Sequence, residues 1–529
     1  MTKARDGATG SHPSRDNTKW TAGNSSARKL TSIIGALAVI CLLIAIFTAP
    51  GGSTDNPDGE DFSTGDHHLN VVAYAVPKVG FDRVIPAFRA TEAGHSVGFA
   101  ESYGASGDQS RKVVRHVPTD VVNFSVEPDI TRLVKAGVVD ENWRNDIPGD
   151  ASHKAVPFGS VVTFVTRKGN PKGIKTWDDL LRPGLEVISP NPASSGSAKW
   201  NILAPYAYWF FQKLDSDAKA LGMRGNNLGG SSSGTPHATQ DVAQGAEQYS
   251  ARSDAQRPLQ DTAQPIARDT TETNPHDPNH ADYVAAHEYA TAKVKQLVHN
   301  AFKIRPKSGR EATSAFEQGQ GDVLLSYENE AIMLDKMSGG RYDYLNPDVT
   351  FRIENPVAVI NDSKNLEQAE AFRNFLFTPE AARLWAEEGF RPAVDLFAEN
   401  RFGASHATPS SSLTDPHTTY GDATVRTSSA SAQAPAGAEH SVIDSLPREA
   451  RERFRPVETI HTIDQLADAC AQLAKQSPTL AQHHKLWDPN SGKDTPKKGW
   501  AMVDALLFNQ AKPGEDSADG VITTIYKEA

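Results

Sequence analysis

The sequence predicts an α/β protein with two globular lobes, its strands laid in parallel and its helices on both faces of the sheet. Three observations carry this. Apolar runs of strand length alternate with helical segments. The turns leading from strand to helix contain glycine. A chain of 529 residues also has more to bury than one core holds.

Residues 69–74 read as the first strand, and a helix follows over 81–88. Residues 96–100 suggest a second strand that runs into Ser102-Tyr103-Gly104-Ala105-Ser106-Gly107, with Val113 and Val114 on the inner face of the next helix. Residues 120–124 form a third short strand. Further strands are expected over 161–165, 185–188, 322–327 and 356–360, and helices over 200–214, 283–302, 369–377 and 380–388. Val284, Val294, Leu297 and Val298 mark the apolar side of the 283–302 helix. Trp209-Phe210-Phe211 is most simply a packed helix face.

A hydrophobic content of 38% is low for a wholly folded chain and implies polar insertions. Three stretches fit: about 214–280, with Gly229-Gly230-Ser231-Ser232-Ser233-Gly234; about 403–446, rich in Ser, Thr, Ala and Pro; and about 472–498, polar with Lys and Pro. All three are expected to be disordered or loosely packed.

Residues 32–49 are almost uninterruptedly apolar, about the length that crosses a bilayer. Lys3, Arg5, Arg15, Lys19, Arg28 and Lys29 precede them, and Asp55, Asp58, Glu60 and Asp61 come after. The positive-inside rule keeps 1–31 in the cytoplasm and exports the chain beyond the apolar run, with 50–66 as a polar linker. An uncleaved anchor is the first reading. Cleavage after Ala49 would put Phe47 at the −3 position, and lipidation at Cys41 would follow a large Ile40.

A net charge of −11 argues against a nucleic-acid partner. Cys41 and Cys470 provide no disulfide framework. The paired histidines His67-His68 and His483-His484, and His276 with His280, lie in spacer or insertion sequence, so no metal or other cofactor is expected.

Three Ser-Gly pairs open apparent helices: Ser106-Gly107, Ser195-Gly196 and Ser308-Gly309. A helix start presents unpaired N–H groups and a partial positive charge, glycine admits a close ligand, and serine adds a donor. Converging on one cleft, three such starts would hold a small tetrahedral oxyanion with little help from cationic side chains. Each alone is an ordinary helix cap.

The segments SYGASGDQ (102–109), NFSVEPDITRLVKAGVVD (123–140), RKGNPKGIKTWDDLLRPG (167–184), SPNPASSGSAKWN (189–201), KSGREATSAFEQGQGDVLLSYENEA (307–331) and FRPA (390–393) resemble the sulfate-binding proteins of sulfate/thiosulfate ABC importers. Thr462-Ile463-Asp464, Gly499-Trp500 and Gly520-Val521-Ile522 look like that family's closing segment. The resemblance implies a two-lobed type II periplasmic-binding-protein fold that shuts on its ligand. Lobe 1 would comprise 67–160 and 355–529, and lobe 2 would comprise 161–354.

It also implies a site. Ser106, with Gly107 beside it, matches the first-lobe serine and Ser195 the second-lobe serine. Gly196 and Ser197 match the neighbouring amides, and Gly309 matches an amide donor of the third loop. Tyr327 stands where better-known members have a tryptophan N–H. Lys199 replaces a usual arginine, and Arg310 keeps its place behind the loop. The implied partners are sulfate or thiosulfate, the permease subunits with their cytoplasmic ATPase, and the membrane through the N-terminal segment, for a chain acting as a monomer without catalysis.

The chemistry agrees. Sulfate is fully ionised at neutral pH and donates no hydrogen bond, whereas phosphate still carries a proton and wants a carboxylate acceptor. Asp108 is the nearby candidate, and its place in a first helical turn suits a dipole-complementing role. A molybdate- or tungstate-binding protein is the alternative of the same class. A membrane-anchored hydrolase using Ser106 is the rival of another class, although Gly104-Ala105-Ser106-Gly107-Asp108 lacks the last glycine of a nucleophile elbow. Glu328, Asn329 and Glu330 read as structural residues at a strand end.

Overall fold

The computed structural model describes residues 65–150, 152, 154–227, 282–398, 441–488, 495–512 and 517–529. The apolar segment 32–49, and the insertion residues 228–281 and 399–440, lie outside these. Among the described residues no helix is long and apolar enough to cross a membrane.

Twelve strands are present among the described residues: β1 (His67–Tyr74), β2 (Val97–Gly104), β3 (Val121–Asn123), β4 (Phe158–Arg167), β5 (Val187–Ile188), β6 (Phe302–Ile304), β7 (Val323–Tyr327), β8 (Tyr342–Leu345), β9 (Val349–Asn355), β10 (Val357–Val359), β11 (Arg391–Pro392) and β12 (Thr459–His461). They form two sheets, in keeping with the two-lobed type II architecture. The first has the order β10-β3-β1-β2. The second has eight strands, six of them in the order β12-β9-β4-β7-β5-β6, with β8 and β11 also on β4.

Neither sheet is wholly parallel, which corrects the expectation. β1 runs parallel to β2 and β3, but β10 returns antiparallel on β3. In the second sheet β4 runs antiparallel to β7, β8, β9 and β11. The cause is β4 itself. Nine of its ten residues are buried, and it is long enough to take β9 and β11 along its first half and β7 and β8 along its second. The chain passes between the sheets where Phe158 pairs with Asn355, and β10 starts two residues further on.

Two expectations about the polar stretches are corrected. The helix Gly196–Asn227 extends well past residue 214. Lys213 and Asp217 are ion-paired one turn apart (2.6 Å), which favours helix over loop there. Residues 472–488 are packed, with Leu473, Ala474, Leu480, Ala481 and Leu486 all buried. Leu473, Ala474, Leu480 and Ala481 fall on the inner faces of two helices, Ile463–Gln476 and Pro478–His483, and Leu486 follows the second.

The third correction concerns the C-terminal residues, expected with lobe 1. β12 pairs with β9, and Ile463–Gln476 and Val521–Glu528 pack on the helix Tyr283–Asn300. The Tyr283 N–H donates to Gln476 Oε1 (2.9 Å), and Lys295 pairs with Glu528 (3.1 Å). The described residues of 459–529 therefore cover the second sheet. The apolar stripe of Tyr283–Asn300, with Ala286, Ala290, Val294, Leu297 and Val298 buried, supplies the surface. Trp209 and Phe210 are fully buried, as a packed helix face requires.

Candidate anion site

Strand β2 ends at Gly104 and the helix Ser106–Val114 begins two residues later. Its N-cap position is Ala105, which offers no side-chain cap, so the first amides are left to other partners. The Gly107 N–H donates to the Ser194 carbonyl (3.0 Å). That bond joins the first helix start to the loop before the second. Gly107, expected among the ligand-binding residues, has its amide engaged in this contact.

The second start, at Gly196, lies against Ser125. A Cβ on Gly196 would fall 2.6 Å from both Cβ and Oγ of Ser125, so only glycine fits. The third start, at Gly309, lies against the second, where a Cβ would fall 3.1 Å from Ser197 Oγ. Two bonds tie the preceding loops together: the Ser194 hydroxyl donates to the Lys307 carbonyl (2.8 Å), and the Asn191 N–H to the Pro306 carbonyl (2.8 Å). All three predicted helix starts are thus brought together. Ser308 caps its own helix, accepting from the Glu311 N–H (3.2 Å).

Ser125 is the residue around which these parts meet. Its N–H donates to Ser106 Oγ (3.0 Å) and its hydroxyl shares a hydrogen bond with Tyr327 (2.7 Å). Its carbonyl accepts from Trp200 Nε1 (2.7 Å) and Asn355 Nδ2 (3.1 Å). Four elements therefore fix one fully buried serine. The Ser106 hydroxyl donates to Asp129 Oδ2 (2.6 Å), so its proton is held by a carboxylate; Asp129 in turn pairs with Arg132 (2.7 Å).

Tyr327 closes β7 and is buried. Burial pushes its phenol well above the ordinary tyrosine range, while hydrogen bonds from Ser125, Ser197 and Asn355 partly offset this. It is a neutral O–H throughout the physiological range. Ser195 and Ser197 are also buried, and the Ser195 N–H donates to the Asn191 carbonyl (2.9 Å).

Three cationic side chains near the helix starts are paired within the protein. Arg111 meets Asp108 (2.5 Å) and reaches the Ala193 carbonyl (3.4 Å). Asp108 thus stands in the first turn, turned to Arg111, as its dipole-complementing role requires. Lys199 meets Asp504 (2.6 Å), and Arg310 meets the buried Glu330 (3.0 Å). Glu330 also accepts from Thr313 (3.1 Å), so Arg310 and Thr313 together hold the third helix from behind. Glu328 forms a buried pair with Arg391 (2.7 Å), the structural role expected of it.

The model of the family described as bacterial extracellular solute-binding protein matches residues 69–391. A sulfate-binding protein of Synechococcus elongatus is 31% identical over 370 residues, covering 69% of this chain and 83% of that protein. The chain belongs to the bacterial extracellular solute-binding proteins, in the sulfate-binding branch. A thiosulfate-binding protein of Pseudomonas aeruginosa is 27% identical over 334 residues, covering 61% of this chain and 77% of that one. Among solved structures, the sulfate-binding protein SubI of Mycobacterium tuberculosis H37Rv is 44% identical, covering 62% of this chain and 87% of that one, with a TM-score of 0.46.

For this solute-binding protein, sequence reasoning missed Ser125, Asn355, Arg111, Asp129 and Asp504. Ser125 carried a readable signal: it follows the apolar run 121–124 and precedes a helix with proline in its first turn, Glu127–Lys135. Val126 stands where the other three starts have glycine, which hid the parallel. Asp504 is distant in sequence and joins the site because the C-terminal segment packs there, with Trp500 edge-on to Trp200 (4.8 Å).

Proposed function

We propose that the protein captures sulfate on the outer side of the cytoplasmic membrane and passes it to an ABC permease with its cytoplasmic ATPase, with thiosulfate as a second ligand. The observation that carries this is the meeting of three helix starts around Ser125 and Tyr327, with Arg111, Lys199 and Arg310 each turned to a protein carboxylate. Such a site offers N–H and O–H donors and fixed dipoles rather than a counter-ion. A fully ionised oxyanion that donates nothing suits it.

In this reading Ser195, Gly196, Ser197, Gly309 and Tyr327 donate to the anion. Ser106 acts through Ser125, and Gly107 fastens the seam between the halves. Closure replaces water around the anion by fixed dipoles in a drier space, where each counts for more. A hydrogenphosphate would need an acceptor, yet Asp108 is turned to Arg111 and Asp129 is taken by Ser106 and Arg132. The relatives' names, sulfate- and thiosulfate-binding, support the same ligand class.

No catalysis is proposed. The relatives are solute-binding proteins, and Ser106 gives its proton to a carboxylate rather than to an imidazole. The chain acts as a monomer tethered by residues 32–49. Isothermal titration with sulfate, thiosulfate, molybdate and phosphate tests the reading. Sulfate and thiosulfate are expected to bind and phosphate to give no heat. A preference for molybdate or phosphate would contradict it, as would labelling of Ser106 by a serine-directed phosphonate.

A further inference from the structure

Tyr74 is the last residue of β1, buried at 2% exposure, with its ring centroid 6.4 Å from that of Tyr327. Two residues further on, Val76 lies beside the third helix start, 3.6 Å from where a Cβ on Gly309 would be. The carboxyl end of β1 therefore runs past both Tyr327 and Gly309. It belongs to the first sheet, whereas Tyr327 belongs to the second.

The Tyr74 hydroxyl is buried and has no hydrogen-bond partner among the described residues. Buried hydroxyls are seldom left so, because the desolvation of the group is not repaid. No described group stands in hydrogen-bonding geometry with it. Tyr327 is engaged with Ser125, and the Glu330 carboxylate, which faces Arg310 and Thr313, makes no hydrogen bond to it. Burial first, then the neighbouring Tyr327 and Glu330, hold the Tyr74 phenol well above its ordinary range, so it keeps its proton. An unmatched O–H beside a cluster of donors calls for an acceptor that arrives from outside.

We propose that the Tyr74 hydroxyl is a further donor to the bound oxyanion, so that two phenols, one from each sheet, close on it. This rests on the reading of the cluster as a sulfate site. It adds a residue that the Ser-Gly pattern does not contain, and it predicts an asymmetry between free and bound protein. Without ligand the hydroxyl is a liability; with ligand it is satisfied.

The test is Tyr74→Phe in the full chain, titrated calorimetrically with sulfate and followed by thermal unfolding with and without sulfate. The variant is expected to bind sulfate about ten- to a hundredfold more weakly, as for a lost hydrogen bond to a charged group. Its melting temperature without sulfate is expected to stay level or rise, and the increase produced by sulfate to shrink. Unchanged affinity while the parent protein binds sulfate would overturn the assignment and leave the anion site standing. Weaker binding together with a lower melting temperature of the free variant would make Tyr74 structural and overturn it as well. If the parent protein gives no heat with sulfate, the site reading itself fails and the role of Tyr74 with it.

Discussion

The hydroxyls of Ser125 and Tyr327, 202 residues apart, are 2.7 Å from one another and join the end of β3 to the end of β7. One is delivered by the first sheet and the other by the second, so this bond exists only when the two halves are together. It also limits the phenol. Either hydroxyl can donate in this bond, and when Ser125 does so Tyr327 has its own proton left to give.

Tyr327→Phe is expected to weaken sulfate binding about tenfold, the loss of one hydrogen bond to a charged partner. Ser125→Ala should weaken it less. Made on the Tyr327→Phe background, it should add almost nothing, because its effect passes through the phenol. A double-mutant cycle by calorimetry measures this coupling, and additive losses would separate the two residues.

Ser195→Ala removes a buried hydroxyl from the second helix start while leaving the backbone in place. The expected cost to sulfate affinity is about 1–2 kcal/mol. Equal affinity for the two forms would take this serine out of the site.

Gly196→Ala places a methyl 2.6 Å from Ser125 Cβ and Oγ, closer than such atoms approach one another. Either helix or serine must move, at a cost of about 1–3 kcal/mol in stability. Sulfate affinity should fall with it, because the shift opens the point where two helix starts meet. Chemical denaturation and titration of the same variant read both effects; a variant with native stability and affinity would show that the contact is slack.

Mild acid should destabilise the protein through its buried histidines. Burial holds His287, whose Nδ1 is 2.7 Å from the Tyr206 hydroxyl, down to about 4. His461 and His484 are likewise held at about 4 by burial. A folded-state value below the unfolded one means that the unfolded chain takes up protons first. The stability is therefore present above the ordinary histidine range of about 6.5 and is lost as pH falls from there toward 4. His287 alone contributes a slope of up to about 1.4 kcal/mol per pH unit across that window. Urea midpoints at pH 7, 5.5 and 4.5 should fall in order, and a level series would contradict the burial.

The helix starts were legible in the sequence because their chemistry is local. Serine and glycine after an apolar strand, then helix formers, need no knowledge of distant residues. Ser125 escaped because Val126 breaks the Ser-Gly pattern, although its place between strand and helix is the same. The direction of strand pairing was not legible: an apolar run such as 323–327 reads alike whether its neighbour is parallel or antiparallel. Nor was the home of the described residues of 459–529. The helix Ile463–Gln476 shows an apolar face and a capping box, but which lobe receives that face depends on the stripe of Tyr283–Asn300 and on the three-residue pairing of β12 with β9. Lys199 illustrates the same limit. Its position beside the second helix start was readable, while its partner Asp504 comes from a segment more than three hundred residues later.

The claim beneath all of this is that helix dipoles and hydroxyls from both halves grip a doubly charged tetrahedral anion without a counter-ion. Selenate has the shape and charge of sulfate and scatters anomalously, so a crystal of the protein grown with it locates the anion directly. One anomalous peak is expected within hydrogen-bonding reach of Ser195, Gly196, Gly309 and Tyr327, with Arg111, Lys199 and Arg310 still on their carboxylates. A peak elsewhere, or one held by any of those three cations, would contradict the account.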